Sequence, residues 1–122
     1  MNFTLVATIS SIALTLIGFG WILAGRLLFK RWSVEANRDG LLVGRRLGAV
    51  YVGTAIILFL GRSSPVSDLR SALCIGMIFT MSLLAILGVI EFVARRTNVV
   101  ILASSAVEVL LAAGFAYVLF TA

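Results

Sequence analysis

The chain has 122 residues, 61% of them hydrophobic and only 12% charged, with a mean hydropathy of +1.16. A soluble domain carries about 45–50% apolar and 25% charged residues, so this one lacks the polar side chains to cover a water-facing exterior. The formal charge is +5, with ten Lys and Arg, five Asp and Glu and no histidine. The absence of histidine removes the usual axial ligand of haem and the commonest ligand of zinc and copper. The single cysteine, Cys74, makes neither an intrachain disulfide nor a cysteine metal site. No cofactor and no metal centre is expected.

A bilayer core about 30 Å thick takes roughly 20 apolar residues at 1.5 Å each. Four stretches qualify: residues 3–25, 41–61, 71–93 and 99–121. The first carries no charge, and no basic residue precedes it. Its apolar run exceeds the 7–15 residues typical of a signal peptide, so it reads as a retained helix. Thr4, Thr8, Ser11, Thr15, Gly18 and Gly25 recur at helical spacing along it and predict a protein-facing stripe.

Residues 26–40 interleave Leu27, Leu28, Phe29 and Trp32 with Arg26, Lys30 and Arg31. That mixture predicts a connection lying at the headgroup level. The second span opens with Arg45 and Arg46 and presents Gly44, Gly48, Tyr51 and Ala55 on one face, with Gly44 and Gly48 forming a GxxxG. Residues 62–70 contain the only proline, Pro65, and are short enough to demand an antiparallel hairpin between the second and third helices. The third span aligns Cys74, Met77, Met81, Gly88 and Glu91; residues 94–98 turn the chain again; the fourth aligns Ser105, Glu108, Ala112 and Ala116. Gly44, Gly48, Ser105 and Ala112 are the expected helix-packing positions. The continuous apolar runs exclude a β-barrel, whose strands alternate. The expected fold is all-α: a polytopic membrane protein, an up-down four-helix transmembrane bundle forming one integral domain over residues 1–122.

Of the ten basic residues, only Arg62 and Arg70 fall in the second connection, and the others lie in or beside the first and third. The positive-inside rule puts the first and third connections in the cytoplasm and both termini outside. Compactness points to a bacterial cytoplasmic (inner) membrane. The flanking positions of the basic residues make anionic lipid headgroups their expected partners, and nucleic acid is not one.

Charges inside spans are costly and call for a partner or a purpose. Glu91 stands four residues before Arg95, the favourable order for a helical ion pair. Arg45, Arg46, Glu91, Arg95 and Arg96 are expected to form a cytoplasmic charge cluster or an anionic-lipid site. Glu108 lies nine residues past Val99, about 14 Å along a helix and close to the bilayer midplane. Thr15, Thr54 and Ser82 share that depth, so a protonated carboxyl hydrogen-bonded to hydroxyls is expected. Its two readings are a proton- or cation-exchanging group and a neutral interhelical contact.

No G-x-S-x-G, GxxxxGK[ST], histidine base or carboxylate cluster is present, so no enzyme is expected. In length, span number and single embedded acid the outline resembles the small multidrug resistance transporters. Their essential acid belongs to the first helix, whereas here it is in the fourth, and the loops are strongly biased in charge. The expected function is that of a small membrane-embedded subunit or assembly partner of a larger complex. The alternative is a small oligomeric proton-coupled transporter or channel using Glu108. A weaker third reading, lipid or quinone binding, rests on Met77 and Met81.

Overall fold

The computed structural model describes residues 2–121, and these are all-helical: α1 (Phe3–Arg31), α2 (Arg38–Leu60), α3 (Asp68–Val93) and α4 (Ile101–Thr121). Each helix is long and apolar enough to cross a membrane. The chain divides into two compact units, Ala7–Gly61 and Met1–Val6 with Arg62–Ala122.

Helix ends follow capping chemistry more closely than apolar content. Asn37 caps α2, its side chain accepting from the Gly40 amide at 2.7 Å, and Asp39 sits in the first turn. Ser67 caps α3 by accepting from the Arg70 amide at 3.2 Å, with Asp68 beside it. These side chains satisfy amides that have no partner within the helix, and the acids complement its positive end. Both helices therefore begin three residues before the apolar stretch that announces them. α4 begins at Ile101 because residues 99 and 100 form a turn in which Asn98 Oδ1 accepts from the Val100 amide at 3.1 Å.

The first connection is shorter than its sequence implies. Arg26 to Arg31 are helical and extend α1 past a break at Ala24, where φ is −136° and ψ 36°. The break lies next to Gly25, one of the residue types at which helices kink. Beyond it the chain folds back. Trp32 lies eleven residues after Trp21, about 16 Å along a straight helix, yet the two ring centroids are 5.6 Å apart. Phe29 stands 5.2 Å from Trp21 in an edge-on contact. Phe29 and Trp32, two residues of the segment expected at the headgroup level, thus cluster against Trp21 of their own helix.

In the first unit α1 and α2 form an antiparallel hairpin, since Gly18 meets Gly48, Trp21 meets Gly44 and Gly25 meets Leu41. A Cβ on Gly48 would sit 2.5 Å from the Gly18 carbonyl oxygen, and one on Gly18 2.8 Å from the Gly48 oxygen. Gly44 leaves room for the Trp21 ring, whose Cε3 would lie 2.7 Å from an added Cβ. The GxxxG of α2 is thus the surface on which α1 lies. Gly44, Gly48, Ala55 and Leu58 are its buried residues.

On α1 the buried positions are Phe3, Val6, Ala7, Ser10, Ser11, Leu14, Gly18, Trp21 and Gly25. The expected stripe holds in part: Ser11, Gly18 and Gly25 are buried, whereas Thr4 is exposed and Thr8 and Thr15 are half-buried. Thr15 donates to the Ser11 carbonyl of its own helix at 2.7 Å, so its hydroxyl needs no neighbouring helix.

The turn after α1 is closed by two reverse bonds, Val34 N–H to Phe29 C=O at 2.9 Å and Ser33 N–H to Lys30 C=O at 3.1 Å. Ser33 takes φ 57°. This is a Schellman motif, whose left-handed residue is usually glycine.

Two predictions test these elements by thermal unfolding in detergent. Gly48→Val should destabilise by roughly 1–3 kcal/mol through overpacking, whereas Gly53→Ala, with open space around its Cβ, should leave the midpoint unchanged or raise it. Ser33→Gly should stabilise by roughly 1 kcal/mol, because it removes the cost of a side chain in the left-handed region.

Candidate functional site

The second unit is built on the α3–α4 hairpin. Cys74, Met77, Met81, Ala85 and Gly88 are the buried residues of α3; Ile101, Ser105, Ala112, Phe115 and Val118 are those of α4. Gly88 leaves the space that the Ser105 hydroxyl fills: an added Cβ would overlap Ser105 Oγ. From there Ser105 Oγ donates across the hairpin to the Ala85 carbonyl at 3.3 Å, a buried bond. The antiparallel register follows from these contacts.

Glu108 is one turn further along the same face of α4, half-buried, and its Oε2 is buried with no hydrogen-bond partner. Among the described residues, Ser10 Oγ and Thr97 Oγ1 share that condition. None of the hydroxyls expected around Glu108 bonds to its Oε2. Thr15 and Thr54 belong to the α1–α2 unit, and each spends its one proton on its own helix, at Ser11 O (2.7 Å) and Val50 O (2.8 Å). Ser82 is half-buried on α3, in the same unit as Glu108.

The expected ion pair is made with a different arginine. Glu91 binds Arg96 in a two-pronged contact, Nε to Oε2 at 2.6 Å and Nη2 to Oε1 at 3.1 Å. The helix ends before Arg95 can use the four-residue spacing. Arg95 takes φ 61°, its amide bonds to Phe92 C=O at 3.0 Å, and the Arg96 amide returns to Glu91 C=O at 3.0 Å. This second Schellman turn swings Arg95 off the helix face and lays Arg96 over Glu91. The hydrogen bond to the Glu91 carboxylate raises the Arg96 guanidinium further above its ordinary pKa, so it stays charged. Arg95 is exposed and makes no ion pair among the described residues. Arg45 and Arg46 are exposed on α2 in the other unit.

At the opposite end of the hairpin, the Arg70 guanidinium stands 4.6 Å over the Phe3 ring and donates to the Ser64 carbonyl at 3.2 Å. Thr4 donates to Arg62 C=O at 2.7 Å. These contacts tie the first residues of α1 to the turn before α3. Sequence patterning did not reveal them, since nothing local links Phe3 to Arg70.

Each unit carries an open groove. On the hairpin of α3 and α4 it measures about 680 Å³, its apolar walls including Ala85, Ile86, Val89, Leu102 and Ala106, with Ser105 the one polar lining residue. The α1–α2 groove is about 470 Å³, lined by residues including Ser11, Thr15, Ala55 and Phe59. The weaker expectation of a ligand at Met77 and Met81 meets side chains that are 6% and 2% exposed. They fill the α3 core face.

Comparison with protein-family models, with curated proteins and with solved structures finds no match.

The Gly88–Ser105 contact is testable by thermal unfolding in detergent. Ser105→Ala should cost about 0.6 kcal/mol, the mean for such interhelical bonds. Gly88→Leu should cost more, because its side chain has to displace both Ser105 and the helix behind it.

Proposed function

We propose that this is a small non-enzymatic, multi-pass membrane protein, an up-down four-helix bundle acting as an embedded subunit or assembly partner of a larger complex. The observation that carries this reading is the exterior. Large apolar side chains cover the outward faces of all four helices, among them Leu23 (81% exposed), Leu60 (75%), Phe79 (69%) and Phe120 (83%). A surface of that kind matches hydrocarbon and not water. The connections are a few residues long, which leaves little soluble surface for recognition. Partners therefore meet this protein within the bilayer, through its apolar faces or through self-association. The arginine-rich connections face the cytoplasm and both termini the outside, in a bacterial inner membrane.

A second reading draws on one specific observation, the buried and unpartnered Oε2 of Glu108. Intramembrane acids mark proton and cation pathways, and this one has an oxygen with an unspent lone pair. In this reading the protein is a small oligomeric transporter or channel.

Mild solubilisation of native membranes and sizing of the tagged protein separates the two. A subunit should elute with larger membrane proteins, and recovery as a free monomer alone would count decisively against it. For the second reading, proton-coupled flux should appear in proteoliposomes of the purified protein and vanish in Glu108→Gln. No flux in the parent, or equal flux in both, removes it.

A further inference from the structure

We propose that the α3–α4 hairpin holds one anionic phospholipid, its phosphate on the Arg95 guanidinium and an acyl chain in the groove between the two helices. The proposal rests on the membrane-spanning reading above and adds a ligand of defined chemistry to it.

Three independent features converge on one end of the hairpin. The first is the groove. Its walls begin at Ile90 and Leu102, the lining residues nearest the turn, and extend along α4 to Leu110. From Leu102 to Leu110 is about 12 Å at the helical rise, close to half of a bilayer core about 30 Å thick. The groove thus spans the depth of one leaflet, the distance over which a single acyl chain runs. Its one polar lining residue, Ser105, already donates to Ala85, so the groove offers hydrocarbon contact and nothing for a polar guest.

The second feature is charge in the turn that follows the groove's near end at Ile90. Arg96 is neutralised by its two-pronged contact with Glu91, which leaves Arg95 as the uncompensated cation of the turn. A phosphodiester with a net negative charge matches it. A zwitterionic lipid brings its own cation to the same place and gains less.

The third feature is backbone conformation. Arg95 stands at φ 61°, the position in a Schellman turn that glycine fills without strain. An arginine is held there against local preference, on the residue that carries the turn's one free charge.

Native mass spectrometry of the detergent-purified protein, offered phosphatidylglycerol and phosphatidylcholine of identical chains in equal amounts, tests the assignment. The last lipid retained should be phosphatidylglycerol by about fivefold, the ratio that one basic side chain at an anionic surface is worth. Arg95→Lys should keep that preference. Arg95→Gly, which favours the turn while deleting the charge, should bring the ratio to near one. Ala106→Trp should fill the groove and release the lipid, with helicity checked by circular dichroism. A ratio near one in the parent, or an unchanged ratio in Arg95→Gly, overturns the proposal. So does a photo-crosslinker at position 89 that captures protein instead of lipid. Failure of the membrane reading itself shows separately, as release of the protein from membranes by alkaline carbonate without detergent.

Discussion

The close approach of helix backbones at glycine is the contact on which each hairpin depends. At Gly18 and Gly48 each backbone leaves no space for a Cβ on the other, and at Gly88 the neighbouring helix inserts a hydroxyl where a Cβ would be. Where the exterior is as apolar as hydrocarbon, burying another leucine between helices gains little over leaving it in lipid. Attraction then has to come from many short contacts and from a few polar bonds shielded from water. Gly44 under Trp21 and Ser105 on Ala85 supply one of each. On α2 three of the four buried residues are accordingly small, Gly44, Gly48 and Ala55 beside Leu58, while Val50, Ile56, Ile57, Phe59 and Leu60 face outward.

This logic explains which helix faces were legible from sequence. On α2, the spacing of Gly44, Gly48, Tyr51 and Ala55 marks the face that α1 covers. On α3, Cys74, Met77, Met81 and Gly88 mark a buried row that also takes in Ala85. Both rows are defined by small or flexible residues, and size is what close approach selects. On α1 polarity is a poor guide to the buried face, because a threonine hydroxyl in a helix can be satisfied by its own backbone, as that of Thr15 is. Shape, carried by Ala7, Ser10, Leu14 and Gly18, would have found the buried face. Helix ends were displaced for a related reason: Asn37 and Ser67 are polar signals outside the apolar run, and a hydropathy reading starts where the apolar residues do.

Contacts distant in sequence were illegible for a different reason. The break at Ala24 lets Trp32 reach Trp21, and no propensity at that alanine announces it. Glu91 finds Arg96 because the helix stops between them. Spacing of four favoured Arg95, and a regular helix continued through residue 95 would have made that pair. Chain reversal at φ 61° changes which residue lies above the carboxylate. At the α3–α4 turn the expected charges therefore resolve into a spent pair, Glu91 with Arg96, and a free cation, Arg95, a distinction that counting charges cannot make.

Glu108 and Arg95 illustrate two ways a charged residue is retained in an apolar chain. Arg95 sits in a connection where its long side chain reaches polar surroundings, so its cost is conformational and small. Glu108 lies on the interior row of α4 with one oxygen buried and unpartnered, where each possible state of the carboxyl is unfavourable in its own way. Ionised, it lacks a counter-charge; protonated, it still leaves a buried acceptor unused. Ser105, one turn earlier on the same row, shows what satisfaction looks like there: a short side chain, one proton and a carbonyl on the facing helix. A glutamate is longer than that interface needs, and an alanine or serine would pack the row at lower cost. Among the described residues the α3–α4 hairpin contains no hydrogen-bond partner for that oxygen; under the transporter reading its partner is a proton or cation in transit. The transporter reading draws on that unsatisfied oxygen, and flux and complex size separate it from the subunit reading because only transport requires the carboxyl to change its protonation or its guest.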